Sequence, residues 1–225
     1  MTGLCKYILP CGLLHLSQSL YITDIMTSKP IIAAFDFDGT ITTKDTLLDF
    51  IGFYVGKIRL IVGLIILSPM LICYKAGLIR NSTAKQKLFS FFFKNVSVNR
   101  FNKIGEKYIE RINLITRKET IDKIRWHQNQ GHQVIIISAS VKNWIQPWAN
   151  QMNINVVLST EIFVTDNIID GTFSTKNCYG QEKVNRLLAQ YPDRNSYILY
   201  AYGDSRGDKE LLESADYPTF LEYGL

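Results

Sequence analysis

The sequence predicts an α/β protein built on a doubly wound parallel sheet, with a helical segment inserted after the first strand. Through the second half of the 225-residue chain, short apolar runs alternate with helical patterns. Such alternation is typical of a parallel sheet that is covered by helices on both faces. Residues 46–118 are helical in pattern with few strand signals, which indicates a separate insert.

The first strand is predicted at residues 31–35, an unbroken apolar run that stops at Asp36 and Gly39. The helical insert then divides the chain into a cap, residues 46–118, and a catalytic core, residues 30–45 and 119–225. Residues 1–29 form a weak leader without the pattern of a signal peptide. We interpret this leader as an upstream extension of a start at Met26 or as a disordered tail.

The remaining elements follow one another in an alternating order. The patterns predict a helix over 119–130, a strand over 134–137, a helix over 143–151 that Pro147 interrupts, strands over 156–158, 161–164 and 168–173, a helix over 181–190, a strand over 197–202 and a helix from 209. Asp36, Ser138 and Asp204 each follow a predicted strand. In doubly wound sheets, ligands bind at the carboxyl ends of the strands.

The most hydrophobic window of the chain, residues 60–74, allows two interpretations. It is shorter than the ~20 residues of a membrane-spanning helix and it contains Pro69. The favoured interpretation is a buried helical pair in the cap, broken at Pro69. The alternative is an apolar patch at a membrane interface, because basic residues flank the window on both sides.

Composition limits the classes of function. With 47% hydrophobic and 20% charged residues, the chain can bury a core and is not predominantly disordered. The net charge of +5 is spread over scattered Lys and Arg residues, which suits anionic ligands without indicating nucleic acid. The four cysteines show no zinc-site or disulfide spacing, so we expect reduced thiols and a cytoplasmic location.

Four carboxylates at predicted strand ends indicate metal-assisted phosphoryl transfer. Asp36 is the candidate nucleophile, since a carboxylate that attacks phosphorus divides one difficult displacement into two easier steps. Asp38 is the candidate general acid and base. For Mg²⁺, the predicted ligands are Asp36, the backbone carbonyl of Asp38, Asp204 and Asp208; an oxygen donor set suits this hard cation.

Two further segments supply groups that can bind phosphate. Ser138 and the backbone N–H groups that follow it, beginning with Ala139, are expected to donate hydrogen bonds to phosphate oxygens. Lys183 is expected to neutralise both the phosphate and Asp36. Taken singly, each segment is explained by a turn, a helix cap or a solvated helix face. Their joint occurrence in this order, next to strand ends, favours a catalytic site.

These segments resemble the four motifs of the haloacid dehalogenase superfamily: residues 36–42, Ser138, Lys183 and residues 203–208. The resemblance covers residues 30–220. It implies a Rossmann-like core, Mg²⁺ dependence and an aspartyl-phosphate intermediate. An Asp two residues after the nucleophile, with Thr40 after glycine, is the pattern of phosphatases and phosphotransferases in that superfamily.

The long helical insert resembles the branch that holds phosphoserine phosphatase and phosphatidylglycerophosphatase C. Asp45 stands where phosphoserine phosphatases tend to have Glu, and Gly207 replaces an Asn of their fourth motif. Residues 177–183 and 202–208 look closer to the lipid-phosphatase-like members. We therefore expect a phosphomonoester hydrolase that acts on a lipid-linked phosphate such as phosphatidylglycerophosphate, with peripheral membrane contact through the cap left open. A soluble substrate such as phosphoserine is the alternative, and a non-catalytic phosphate- or lipid-binding module is the least favoured.

Overall fold

The computed structural model describes residues 29–222, so the predicted leader lies outside the described residues except for its last residue. Seven strands occur in this part of the chain: β1 (Ile31–Phe35), β2 (Gln133–Val141), β3 (Val156–Thr160), β4 (Ile162–Thr165), β5 (Ile168–Phe173), β6 (Ile198–Gly203) and β7 (Tyr217–Phe220). Five of them form one sheet in the order β3-β2-β1-β6-β7, with every neighbouring pair parallel. The predicted fold class is confirmed.

Ten α-helices occur among the described residues: α1 (Thr46–Val55), α2 (Lys57–Ile66), α3 (Ser68–Lys75), α4 (Asn81–Phe93), α5 (Val98–Lys107), α6 (Ile109–Ile115), α7 (Lys118–Asn129), α8 (Lys142–Gln151), α9 (Gln181–Gln190) and α10 (Lys209–Glu213). The first six lie between β1 and β2, where the sequence predicts the cap. Pro147 lies inside α8 without ending it, which differs from the predicted interruption. Proline removes only one helical hydrogen bond there, and the buried Trp144 and Trp148 hold the helix on both sides.

The centre of the sheet is β1, which is buried on both faces from Ile32 to Phe35. Burial on both faces explains why this strand is uniformly apolar in sequence. From β1 the chain builds β2 and β3 on one side and later crosses to β6 and β7 on the other. The boundary between β1 and β6 is therefore the switch point of the sheet, and ligands of such folds bind at this place.

The six inserted helices share their hydrophobic core with the sheet and its helices. The Phe50 ring of α1 stacks on the Trp144 ring of α8 with 4.6 Å between centroids, and Phe101 of α5 meets the same indole edge-on at 6.2 Å. In addition, the hairpin of β4 and β5 pairs with the turn after α4, where Asn95 N donates to Ile169 O over 2.9 Å. The insert therefore contacts the core in two places, at α8 and at the hairpin of β4 and β5.

The helix pair α2 and α3 has an exposed outer face, so the favoured interpretation of a buried pair is wrong for that face. Ile58 is 80% exposed, and Ile65 and Ile72 are each 66% exposed. The two helices meet at an angle of 66° next to Pro69, which lies in the first turn of α3. Within residues 29–222 no single helix is long and apolar enough to cross a membrane. Counted together, the two helices of this bent pair have the length and apolar composition that a crossing requires.

The inner side of α2, opposite its exposed face, packs against the hydrophobic core. Leu60, Gly63, Leu64 and Leu67 recur at helical spacing on this side, and Gly63 is buried. A Cβ at Gly63 would lie 2.3 Å from the Phe92 ring of α4, so a larger residue here would have to displace that ring. Because α2 is apolar on both sides and its neighbours α1, α3 and α4 cover only one of them, its other face stays in contact with solvent.

Candidate active site

A buried ion-paired group of Asp36, Lys183 and Asp208 lies at the switch point of the sheet. Asp36 follows β1, and its backbone N–H donates to Tyr202 O of β6 over 2.9 Å. From the first turns of α9, the Lys183 ammonium contacts Oδ1 of Asp36 at 2.6 Å and Oδ1 of Asp208 at 2.5 Å. All three side chains are at most 7% exposed. The lysine thus holds one oxygen of Asp36 and leaves the other for reaction.

Burial acts in opposite directions on the pKa values of Asp36 and Lys183. It raises the pKa of Asp36 to about 7, an effect that Lys183 opposes and the charges of Asp208 and Asp38 reinforce. For Lys183, burial alone would lower the pKa, but attraction to the two carboxylates outweighs burial, and the pKa is raised. The ammonium therefore stays charged and favours the ionised form of Asp36 at short range.

Asp204 joins this group and makes it a candidate cation site. Carboxylate oxygens of Asp36, Asp204 and Asp208 lie within 4.8 Å of one another. Burial raises the pKa of Asp204, which indicates negative charge that its protein neighbours do not fully compensate. The donor set consists of oxygen atoms only, so these residues fit Mg²⁺.

The turn after β1 is shaped to admit Asp204. Gly39 has φ = 87°, and a Cβ at this position would lie 2.1 Å from Oδ2 of Asp204. Thr40 Oγ1 donates to Oδ1 of Asp204 over 2.7 Å, and Arg117 Nε donates to the Gly39 carbonyl over 2.8 Å. Glycine is required here by both its backbone conformation and the space its neighbour occupies.

Asp38 is held by groups from the cap and from β2, and the sequence did not indicate either. Its Oδ1 accepts from Thr46 N over 2.8 Å and from Thr46 Oγ1 over 2.5 Å, while Oδ2 accepts from Ser140 Oγ. Trp144 Nε1 in turn donates to Thr46 Oγ1 over 3.1 Å. Burial, followed by the charge of Asp45, raises the pKa of Asp38. A raised pKa suits a carboxyl group that has to give up and take back a proton.

Ser138 and Ala139, which were predicted to follow the strand at 134–137 and to bind phosphate, lie inside β2, because this strand continues to Val141. Ala139 lines the cavity above Asp36, whereas Ser138 is fully buried and is not among the described residues that line it. The Ser138 hydroxyl accepts a hydrogen bond from Ser140 N over 3.0 Å. Its hydroxyl proton is therefore available to another acceptor, and phosphate binding by Ser138 stays a prediction.

A cavity of about 810 Å³ opens above these groups and has two chemically different regions. Its base carries Asp36, Asp38, Lys183 and Asp204. Part of its wall is apolar and comes from the cap and the end of β7, through Leu47, Leu64, Leu71, Leu88, Phe220 and Leu221; polar residues such as Lys44, Asn81 and Glu222 line the rest. The polar base is suited to a phosphate and a cation, and the walls to an uncharged part of a ligand.

Lys85 brings a further ammonium group into the cavity, beside Lys183 and Lys44, and is the main residue that the sequence analysis missed. It projects from α4, and its Nζ donates to the Ala139 carbonyl over 2.8 Å. Burial lowers its pKa, opposed by the charges of Asp38, Asp45 and Asp36. Within residues 29–222 no carboxylate lies within ion-pair distance of Lys85, so its charge is available to a ligand.

A doubly wound sheet with carboxylates and a lysine at its switch point defines a class of enzyme that carries out metal-assisted group transfer. The chain belongs to the haloacid dehalogenase-like hydrolase family, whose family model matches residues 33–213. The predicted superfamily and the prediction of an enzyme are thereby confirmed. A particular likeness to phosphatidylglycerophosphatase C is not part of this finding.

Similar proteins extend over most of the chain. Protein CicA from two strains of Caulobacter vibrioides is 30% identical over 208 residues, which cover 89% of this chain and 90% of the relative. A protein of unknown function from Bordetella pertussis Tohama I has a TM-score of 0.71 at 18% identity, over 83% of this chain and 87% of that one. A substrate-bound phosphoserine phosphatase has a TM-score of 0.58 at 17% identity, over 84% of each chain. At these identities the two solved structures show a shared fold, and the family match shows a hydrolase.

Proposed function

We propose that the protein is a Mg²⁺-dependent phosphomonoesterase that works through a phosphorylated Asp36. The observation that carries the proposal is the buried contact of Asp36 with Lys183, next to two further carboxylates. In the first step, the free oxygen of Asp36 attacks phosphorus, and the bond from phosphorus to the alcohol oxygen breaks. Asp38 gives its proton to that oxygen, so the oxygen leaves as a neutral hydroxyl group.

In the second step, water attacks the phosphorus of the aspartyl-phosphate while Asp38 takes a proton from the water. The bond between phosphorus and Asp36 breaks, and inorganic phosphate leaves. Hydrogen bonds from Thr46 and Ser140 keep the Asp38 carboxyl in one orientation during both proton transfers.

The remaining site residues bind and neutralise the phosphate. Lys183, Ser138 and the backbone N–H of Ala139 are assigned to the phosphate oxygens. Mg²⁺, held by Asp36, Asp204, Asp208 and the backbone carbonyl of Asp38, would offset the repulsion between the carboxylates and the incoming phosphate.

For the substrate, we propose a lipid-linked phosphate, as in phosphatidylglycerophosphate. The support is the apolar part of the wall above the polar base, which a small polar ester such as phosphoserine would leave without contact. Lys85 faces the same space from α4 and would bind a second anionic group of the leaving alcohol, such as a phosphodiester.

A soluble substrate is the second candidate, and the structural similarity to phosphoserine phosphatase favours it. In that case Lys85 would bind the carboxylate of the amino acid. The two candidates differ in whether the apolar walls contact the substrate.

The experiment measures Mg²⁺-dependent phosphate release from phosphatidylglycerophosphate in mixed micelles, alongside phosphoserine. The blank is the Asp36→Asn variant, which keeps the shape of the site and removes the nucleophile. We expect turnover of the lipid by the parent and none by Asp36→Asn. Turnover of phosphoserine alone would favour the soluble substrate. Full activity of Asp36→Asn would contradict the mechanism.

A further inference from the structure

The outer face of α2 and α3 is an apolar surface with no partner among the described residues. Ile58, Ile61, Val62, Ile65 and Ile66 recur along α2 at spacings of three and four residues, and Ile72 continues the surface onto α3. Each is at least 50% exposed. We refer to these six residues as the apolar ridge. Contiguous exposed apolar surfaces of this kind mark sites that contact a partner or a membrane.

Exposed basic residues lie at both ends of the apolar ridge. Lys57 and Arg59 stand at the start of α2, and Lys75 and Arg80 stand at the end of α3 and just after it. None of the four forms an ion pair within residues 29–222. Long basic side chains beside an apolar surface can reach the charged layer of a membrane while the apolar residues enter its hydrocarbon edge.

The positive charge of the whole chain is concentrated in the segment that contains the apolar ridge. Residues 50–105 contain nine Lys and Arg residues and no Asp or Glu, so the rest of the chain, with 16 basic and 20 acidic residues, has a formal charge of −4. The positive net charge of the protein therefore comes from the cap. A segment without a single acidic residue is complementary to a surface of uniform negative charge.

We infer that the apolar ridge docks on an anionic phospholipid bilayer, with its basic flanks among the lipid headgroups. The inference rests on the proposed function, because it places a lipid substrate next to the cavity. A bilayer is a better partner for this surface than a second copy of the chain. A symmetric dimer would bring two basic segments without acidic residues face to face, and their like charges would repel.

The same two helices connect this surface to the active site. While the ridge faces outward, Leu64 of α2 and Leu71 and Tyr74 of α3 line the cavity above Asp36. One helix pair thus forms both the docking surface and part of the cavity wall. Docking would therefore bring this wall of the cavity next to the bilayer that holds a lipid substrate.

The test is sedimentation of the full-length protein with vesicles of phosphatidylcholine and phosphatidylglycerol, compared with phosphatidylcholine alone. We expect binding to the anionic vesicles that weakens with added salt. Ile65→Asp should lower binding about tenfold or more, because it takes one apolar side chain out of the lipid phase. Lys57→Gln combined with Arg59→Gln should lower it about 25-fold, since each basic residue near an anionic surface contributes about fivefold.

Matched controls use equally exposed positions outside the ridge. Leu114→Asp replaces a 79% exposed leucine of α6, and Lys123→Glu replaces an exposed lysine of α7. Both controls should bind anionic vesicles as the parent does. All four variants should hydrolyse para-nitrophenyl phosphate at the parent rate, because none of the substituted residues lines the cavity.

The outcomes separate docking from catalysis. Asp36→Asn should bind vesicles as strongly as the parent does. Vesicle binding by the apolar ridge can therefore be measured independently of catalysis. Docking is refuted if the parent stays in solution with anionic vesicles while it hydrolyses para-nitrophenyl phosphate. It is equally refuted if the controls lose as much binding as Ile65→Asp, or if light scattering shows that Ile65→Asp dissociates a dimer and vesicle binding is unchanged.

Discussion

Replacing Lys183 by Met should destabilise the protein as well as inactivate it. The ammonium is 2% exposed and contacts Asp36 at 2.6 Å and Asp208 at 2.5 Å, so its removal leaves two buried carboxylates without their cation. Loss of one partner of a buried ion pair costs about 3–5 kcal/mol. We expect the free energy of unfolding to fall by this amount when it is measured by urea denaturation in the presence of a chelator.

A second variant distinguishes lost charge compensation from lost packing. Lys183→Met combined with Asp208→Asn removes one of the two uncompensated carboxylates and should recover a large part of the lost stability. The two substitutions should therefore be non-additive, as expected for groups in direct contact. If Lys183→Met is as stable as the parent, or if the double variant is less stable still, the lysine does not compensate these carboxylates as described.

Three further predictions concern the surroundings of the site. Burial, followed by the charges of His132 and Lys123, lowers the pKa of His127 from about 6.5 in the unfolded chain to about 4 in the folded protein. The folded protein therefore loses stability as the pH falls from 6.5 towards 4, because the unfolded chain takes up a proton on His127 more readily. Between pH 7.5 and pH 5, the free energy of unfolding measured by urea denaturation should fall by about 2 kcal/mol more for the parent than for His127→Gln. Equal decreases for the two proteins would contradict the lowered pKa. Lys85→Met should raise the KM for substrates with a second anionic group about tenfold, with little change for para-nitrophenyl phosphate, whereas Lys85→Arg should keep a near-parent KM. A uniform loss for all substrates would argue against this role. Gly39→Ala should displace the Asp204 carboxylate and raise the Mg²⁺ concentration needed for half-maximal activity, and an unchanged Mg²⁺ titration would refute the steric argument.

The sequence was sufficient to predict the sheet and the residues at its strand ends. Asp36 and Asp204 could be placed together because the carboxyl ends of neighbouring parallel strands meet at one edge, so chain order determines their proximity. The last strand, β7, was not predicted. It contains Pro218, which is tolerated because β7 is an edge strand with a single neighbour.

Residues that reach the site from the helices could not be predicted from spacing. Lys85 and Thr46 lie in the cap, and the rotation of each helix against the sheet depends on tertiary packing that no local pattern encodes. The same limitation explains the error at residues 60–74. An apolar helix can be recognised from its sequence, but which of its faces becomes buried depends on the number of neighbours that surround it.

The core shared between the cap and the sheet determines how a ligand can enter. If the cap swung away as one rigid body, Phe50, Phe101 and Trp144 would lose their contacts, at about 1.5–3 kcal/mol for each aromatic side chain exposed. In contrast, α3 contains no buried residue and α2 contains only Gly63. Lifting these two helices would expose the half-buried Leu60, Leu64 and Leu67 but none of the fully buried aromatic side chains. Entry into the cavity is therefore expected to involve local displacement of α2 and α3, while the rest of the cap stays in place.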